Sequence, residues 1–186
     1  MDRDLSVELK RVESRPLPDQ SPKVLSALVV DVDVRGPGAM AAYASRLRGA
    51  LQAGIALAMA ESFDRDELPE STVPEWLAAI SQEALDPSVI PAEVISGRTR
   101  YVARREQEAW QLQDWLWSFE PGVRQWELWD IATGGGTSAV IWLDSKGELS
   151  YSCDDIRWLA YVAGAVAVSG PIALPSTVWE GQVSLR

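Results

Sequence analysis

Two aspartates lie one residue apart at the end of a strongly apolar stretch of the sequence. They are Asp31 and Asp33, and they follow a run rich in leucine and valine. Because side chains alternate along a strand, both carboxylates would project from one face, about 7 Å apart. Such a pair could share a Mg²⁺ ion, or could divide the roles of nucleophile and general acid. The first chemistry that the sequence suggests is therefore metal-dependent hydrolysis or phosphoryl transfer.

The aspartate pair resembles that of phosphotransferases of the haloacid dehalogenase type, but the resemblance covers only these residues. That family places an acceptor loop directly after its aspartates, and a lysine and a second acidic cluster after further strands of a parallel sheet. Here Lys146, Asp154 and Asp155 belong to a predicted antiparallel meander. Since antiparallel sheets commonly expose one polar face, we interpret Asp31 and Asp33 as that face. No catalytic or metal-binding residue is assigned.

Two other segments contain residue types that are used in catalysis. Residues 134–138 (GGGTS) resemble a phosphate loop in composition, but a strand is predicted after them where such a loop needs a helix. We interpret them as a hairpin connection. The chain has no histidine and one cysteine, Cys153, so a Cys-His pair and a structural zinc site are both excluded. We expect no cofactor and favour a protein that is not an enzyme.

The charge of the chain is concentrated in one acidic segment, residues 61–93. Nine acidic residues against the single base Arg65 give −8 of the net charge of −10. Such a field attracts a basic partner and repels nucleic acid and anionic membranes. We therefore expect a basic protein partner, no nucleic acid and no membrane partner. Glu67, Glu70 and Glu75 are the predicted binding residues of this segment.

Two of the nine tryptophans do not fit a core position. A long helix is predicted over 99–119. Its inward stripe is predicted to be Val102, Ala109, Leu112, Leu116 and Phe119. Trp110 and Trp117 lie seven residues apart, hence on a second common face. Either they are an exposed aromatic anchor for a partner, or another element covers them. We expect a cover, formed by the acidic segment folding back or by a second copy of the chain in a homodimer.

The elements that must position these residues follow from hydrophobic periodicity and turn signals. A strand pair is predicted within 5–34, then a helix to residue 62 and a short helix over 73–85. Thr72 and Glu75 form a predicted capping box at the start of that short helix. After the long helix, the segment 126–186 is predicted to form an antiparallel meander, a buried helix over 154–167 and a last strand.

Together these elements predict one α+β domain over residues 1–186. Its antiparallel or mixed sheet would have five or six strands, with three or four helices packed mainly on one face. The longest apolar run, residues 158–174, contains Gly170 and Pro171, and we interpret it as a buried helix followed by a turn. With one cysteine and no apolar leader at the N-terminus, the protein is expected to be cytoplasmic.

Three functions remain as hypotheses. The first is a non-enzymatic acidic protein, of the inhibitor, immunity or adaptor type, that docks a basic partner. The second is a small-molecule binder whose tryptophans and carboxylates enclose a cationic or aromatic ligand. The third is a metal-dependent hydrolase or phosphotransferase that uses Asp31 and Asp33.

Overall fold

The structure is a computed structural model that describes residues 4–34, 38–81, 88–148 and 150–186. These residues form an α+β fold with a four-stranded antiparallel sheet and seven α-helices. The strands are β1 (Val24–Val32), β2 (Glu127–Gly135), β3 (Ser138–Asp144) and β4 (Ala165–Pro175). The helices are α1 (Leu5–Glu13), α2 (Ala39–Ala60), α3 (Glu75–Ile80), α4 (Ala92–Arg105), α5 (Leu112–Trp117), α6 (Asp154–Val162) and α7 (Ser176–Glu180). The predicted fold class is confirmed, whereas the predicted numbers of strands and helices are wrong.

Strand β1 lies inside the sheet, whose order is β2-β3-β1-β4. It pairs antiparallel with β3 on one side and with β4 on the other. The chain after α7 adds a short pairing to the outer edge of β2, where the Thr133 amide donates to Val183 O and the Leu185 amide to Ile131 O, both at 2.8 Å. The predicted last strand is therefore reduced to these few bonds.

The two faces of the sheet are both covered, but unequally. Alternate residues of β1, such as Leu28 and Val30, belong to a large apolar cluster with residues of α2, α4, α5 and α6. The residues between them, such as Ala27, belong to a small cluster in which Trp129 and Trp179 pack edge to face. Most of the helical packing is thus on one face, and α7 covers the other.

The N-terminal strand that the alternation of residues 5–10 predicted is instead the helix α1. Asp4 caps it, since its carboxylate accepts hydrogen bonds from the amides of Ser6 at 3.1 Å and Val7 at 3.2 Å. The same residues also carry a helical stripe, in which Glu8 and Val12 are buried. Over so short a segment the residues fit both the period of a strand and that of a helix, and the Asp4 cap favours the helix.

The long helix predicted over 99–119 is two helices. Helix α4 ends at Arg105 because Glu106 adopts a left-handed conformation with φ of 52°. Within α4, Val102 is 38% exposed and is not a core residue, whereas Leu112 is buried on α5. Trp110 lies in the connection between the two helices, so the helical spacing that paired it with Trp117 does not apply.

Two further predicted boundaries differ from the structure. Helix α3 begins at Glu75 after Pro74, and no side chain caps it, so the predicted capping box is wrong. The rest of that predicted helix includes residues 82–85, which lie outside the described residues. The buried helix α6 ends at Val162, and residues 165–175 form β4 where a helix and a turn were predicted.

The third strand of the predicted meander, near residues 148–152, is not formed among the residues that the structure describes there; residue 149 is outside them. In the described ranges, no helix has the length and apolar character needed to cross a membrane.

The break between α4 and α5 predicts different costs for two truncations. Leu112→Ala should lower the free energy of unfolding by about 2–5 kcal/mol, because it leaves a cavity in the core. Val102→Ala, on the exposed side of α4, should change it by less than about 0.5 kcal/mol. Urea denaturation of both variants measures the difference, and similar losses would contradict the two-helix arrangement.

Candidate functional site: a tryptophan pocket beside the acidic loop

Three tryptophans line one pocket with a volume of about 340 Å³. They are Trp110 before α5, Trp117 at its end and Trp126 before β2. The charged residues of its lining are Asp114, Glu120, Arg124 and Asp155. We call this cavity the tryptophan pocket. It combines aromatic walls with three carboxylates and one guanidinium, so its walls favour a cationic group.

Arg124 is held in place by a buried ion pair with Glu8 of α1. Glu8 also accepts a hydrogen bond from the Leu128 amide at 2.7 Å, so both of its carboxylate oxygens have a donor. Burial raises the pKa of Glu8, and the nearby Arg124 opposes that shift. The guanidinium lies 5.0 Å from the ring of Trp126, which adds a cation–π contact. The charge of Arg124 is thus neutralised by Glu8, which does not line the pocket.

Asp155 is a buried carboxylate of the pocket lining, in the first turn of α6. Its two oxygens accept from the Trp126 indole nitrogen at 3.1 and 3.0 Å. Burial raises the pKa of Asp155 to about 6, although hydrogen bonds from the Ile156 amide and Trp126 favour the ionised form. Above that pH the pocket therefore contains a negative charge shielded from solvent.

The other two indoles are each fixed by a neighbour. The Trp110 nitrogen donates to the hydroxyl of Tyr101 at 3.0 Å, and that hydroxyl donates to Gln107 at 3.1 Å. Trp117 packs edge to face with Phe63, with ring centroids 5.5 Å apart. Both tryptophans are half-buried, between the exposed and the covered arrangements considered from the sequence. Because Phe63 belongs to the acidic segment, that segment does fold back onto Trp117.

The acidic segment is also tied to α5 by hydrogen bonds. Gln113 donates to Leu68 O at 3.0 Å and to a Glu70 carboxylate oxygen at 2.7 Å, and it accepts from the Leu68 amide at 2.9 Å. Glu70 therefore lies beside the helix that carries one wall of the pocket. Glu67 and Glu75 are exposed, in the loop and in the first turn of α3.

Arg124, Trp126 and Asp155 were missed by sequence reasoning, which anticipated only Trp110 and Trp117 of this pocket. The one local signal was Asp155, an acid at the start of a helix that is otherwise apolar on nearly every side. The Glu8–Arg124 pair has no such signal, because its members are far apart in the chain.

Asp31 in β1 and Asp33 just after it lie outside the tryptophan pocket. Asp31 is exposed and accepts a hydrogen bond from the Ser138 hydroxyl at 3.0 Å, as the polar-face interpretation predicted. Asp33 is half-buried; it lines one shallow cleft together with Asp31 and a second cleft without it. Among the described residues, no three histidine, cysteine, aspartate or glutamate side chains converge in a way that could hold a metal ion.

The glycine-rich segment and the cysteine follow their structural interpretations. The Gly135 and Gly136 backbones have positive φ angles and turn β2 into β3, so the predicted hairpin is confirmed. Cys153 is buried, and its burial raises the pKa of the thiol, which disfavours the thiolate.

Comparison with protein-family models, with curated protein sequences and with solved structures finds no match to this chain.

The buried carboxyl of Asp155 predicts a specific dependence of stability on pH. Its pKa is higher in the folded protein than the usual 3.8, so the stability it contributes is present below about pH 4 and is lost as the pH rises through 6. The difference in unfolding free energy between wild type and Asp155→Asn should fall by about 2 kcal/mol from about pH 4 to about pH 7. Urea denaturation across this range measures it, and a constant difference would refute the buried charge.

Proposed function

We propose that the protein binds a basic partner protein, and that a lysine or arginine side chain of the partner enters the tryptophan pocket. The observation that carries the proposal is the attachment of the acidic segment to α5 through Gln113. It joins the segment with most of the negative charge to a wall of the aromatic pocket. Long-range attraction and short-range recognition are then supplied by one continuous part of the molecule.

The exposed carboxylates suit the first stage, the approach of the partner. Solvated carboxylates such as those of Glu67, Glu70 and Glu75 contribute little to folding stability. A clustered negative field does raise the rate of association with a basic surface, and it is screened over about 10 Å at 0.1 M salt. These exposed carboxylates are therefore suited to steering a partner rather than to holding the fold.

The tryptophan pocket suits the second stage, the tight contact. A cation over an indole face gains about 0.5–2 kcal/mol, and more where water is excluded. Arg124 would repel a cation, but its charge is already matched by Glu8. Asp155, ionised above about pH 6, and the walls of Trp110 and Trp117 would then dominate the field inside the pocket.

A small cationic molecule is a second candidate for the same pocket. Its volume of about 340 Å³ falls within the range of about 300–1,000 Å³ of small-ligand sites. The buried carboxylate among the indoles favours this candidate, since it would be available to a free ligand without the acidic loop. A free molecule and a partner's side chain would compete for the same walls.

Charge reversal tests the first candidate. The triple variant Glu67→Lys, Glu70→Lys and Glu75→Lys should bind a fluorescent hexalysine peptide at least about tenfold more weakly than wild type at low salt. The difference should shrink at about 0.3 M NaCl, because exposed charges are then screened. The melting temperature should remain close to that of wild type, because Gln113 keeps its two hydrogen bonds to the Leu68 backbone when the Glu70 carboxylate is lost.

The matched control reverses Glu13, Glu148 and Glu180, which are exposed outside the acidic segment. This variant has the same net charge and should retain most of the peptide affinity. Equal losses in the two triple variants would show that only net charge matters and would remove the docking surface from the proposal.

Choline and its neutral isostere 3,3-dimethylbutan-1-ol test the second candidate. Choline should change tryptophan fluorescence saturably, while the isostere, with the same shape and no charge, should bind at least about tenfold more weakly. Trp117→Leu and Trp110→Leu should each weaken choline binding, since they remove an aromatic face and keep apolar bulk. Trp76→Leu, a half-buried tryptophan outside the pocket, is the control. Equal binding of choline and the isostere would exclude a cation site.

A further inference from the structure

A second cavity, distinct from the tryptophan pocket, lies between α2, α4 and the connection from α6 to β4. Its volume is about 430 Å³. The charged and polar residues of its lining are Asp33, Arg46, Glu93, Ser96 and Arg100. We call it the arginine cleft. None of the described residues lines both this cleft and the tryptophan pocket, and Glu93 is the one charged residue of the described cleft lining that belongs to the acidic segment.

The two arginines are anchored on either side of one glycine. Arg46 donates from Nε to Ala163 O at 2.8 Å, and Arg100 donates to Ala165 O at 3.3 Å. These carbonyls flank Gly164, which has a φ of +120°. Two guanidinium groups are thereby held at the same short stretch of backbone, although their like charges repel each other.

Gly164 also leaves the space that Arg46 occupies. A Cβ atom added at Gly164 would lie 3.2 Å from the Arg46 guanidinium and 3.4 Å from a side-chain carbon of Glu93. The positive φ and this close approach both favour glycine at the position. Because Gly164 has no side chain, the Arg46 guanidinium and the Glu93 side chain both lie close to its backbone.

Glu93 pairs with Arg46 at 3.0 Å, and 45% of its side chain is exposed. A guanidinium has five N–H donors in a planar fork, more than these anchoring bonds require, and the fork matches the two oxygens of a carboxylate. An exposed carboxylate has lone pairs left for a further donor, such as an ammonium group. The cleft therefore offers groups of both signs to a ligand.

The charge balance of the cleft selects the ligand class. Among the described residues of its lining, two arginines are matched by two acids. A purely anionic ligand would compete with Glu93 for the guanidinium groups, and a purely cationic ligand would be repelled by Arg46 and Arg100. A molecule with one group of each sign keeps every charge paired.

We propose that the arginine cleft binds a small zwitterion of the amino-acid type, with its carboxylate on Arg100 and its ammonium group on Glu93. Such a ligand would add pairs to the existing contacts and would not require Arg46 to leave its carbonyl anchor. The remaining volume would hold a side chain, beside Val32 and Ala39.

Isothermal titration of the full chain with each of the twenty free amino acids tests the proposal. At least one should bind saturably, whereas its methyl ester and its N-acetyl derivative, which each lack one charge, should bind at least about tenfold more weakly. Arg100→Gln and Glu93→Gln should each weaken binding to a similar extent. Trp117→Leu should leave it unchanged, which separates this site from the tryptophan pocket.

Three results would overturn the proposal. They are no heat from any amino acid up to about 10 mM, binding of the ester or the N-acetyl derivative as tight as that of the free amino acid, or wild-type affinity in both Gln variants. If Arg100→Gln melts well below wild type, Arg100→Lys replaces it, because lysine keeps the charge without the fork. Weakened binding in this variant would support the carboxylate contact, and unchanged binding would refute it.

Discussion

The buried ion pair between Glu8 and Arg124 is the interaction on which the candidate site depends. Neither side chain is exposed, and the pair joins the first helix to the segment before β2. Removing one partner of such a pair costs about 3–5 kcal/mol, because the other charge is left buried without compensation. Arg124 also lies over the Trp126 ring, and Trp126 in turn donates to Asp155. One pair therefore sets the position of a wall and of the buried carboxylate of the pocket.

A second buried acid ties the far edge of the sheet to the rest of the chain. Asp130 on β2 is fully buried and pairs with Arg48 of α2 and with Arg186, both at 3.3 Å. It also accepts from the Trp179 indole at 3.0 Å. Because its donors come from widely separated parts of the sequence, this carboxylate holds α2, α7 and the end of the chain against one strand. The pocket residues before β2 are thus attached to a rigid sheet, which lowers the cost of ordering them on binding.

Two groups of acidic residues have different physical roles. Glu8 and Asp130 are buried and matched by arginines, so they organise the interior and contribute little to the external field. Glu67, Glu70 and Glu75 are at the surface, where their charges act on other molecules. Glu93 of the arginine cleft belongs to neither group, since it is paired with Arg46 and is still partly accessible. Most of the net charge of −10 is carried by the acidic segment, in which Glu67, Glu70 and Glu75 are exposed.

Local pattern was sufficient for the α+β class, for β1 and α2, and for the hairpin of β2 and β3, because the hydrophobic periods are clear and glycines precede α2 and form the turn between β2 and β3. It also located the acidic segment and the pair Trp110 and Trp117. Tertiary structure alone decided the rest. Residues 165–175 carry no charge, and their composition alone does not define a strand. They form β4 because one edge of β1 supplies hydrogen-bond partners. Likewise, Glu8 and Arg124 meet only after folding, since a buried charge is stabilised by a partner whose distance along the chain no local pattern encodes.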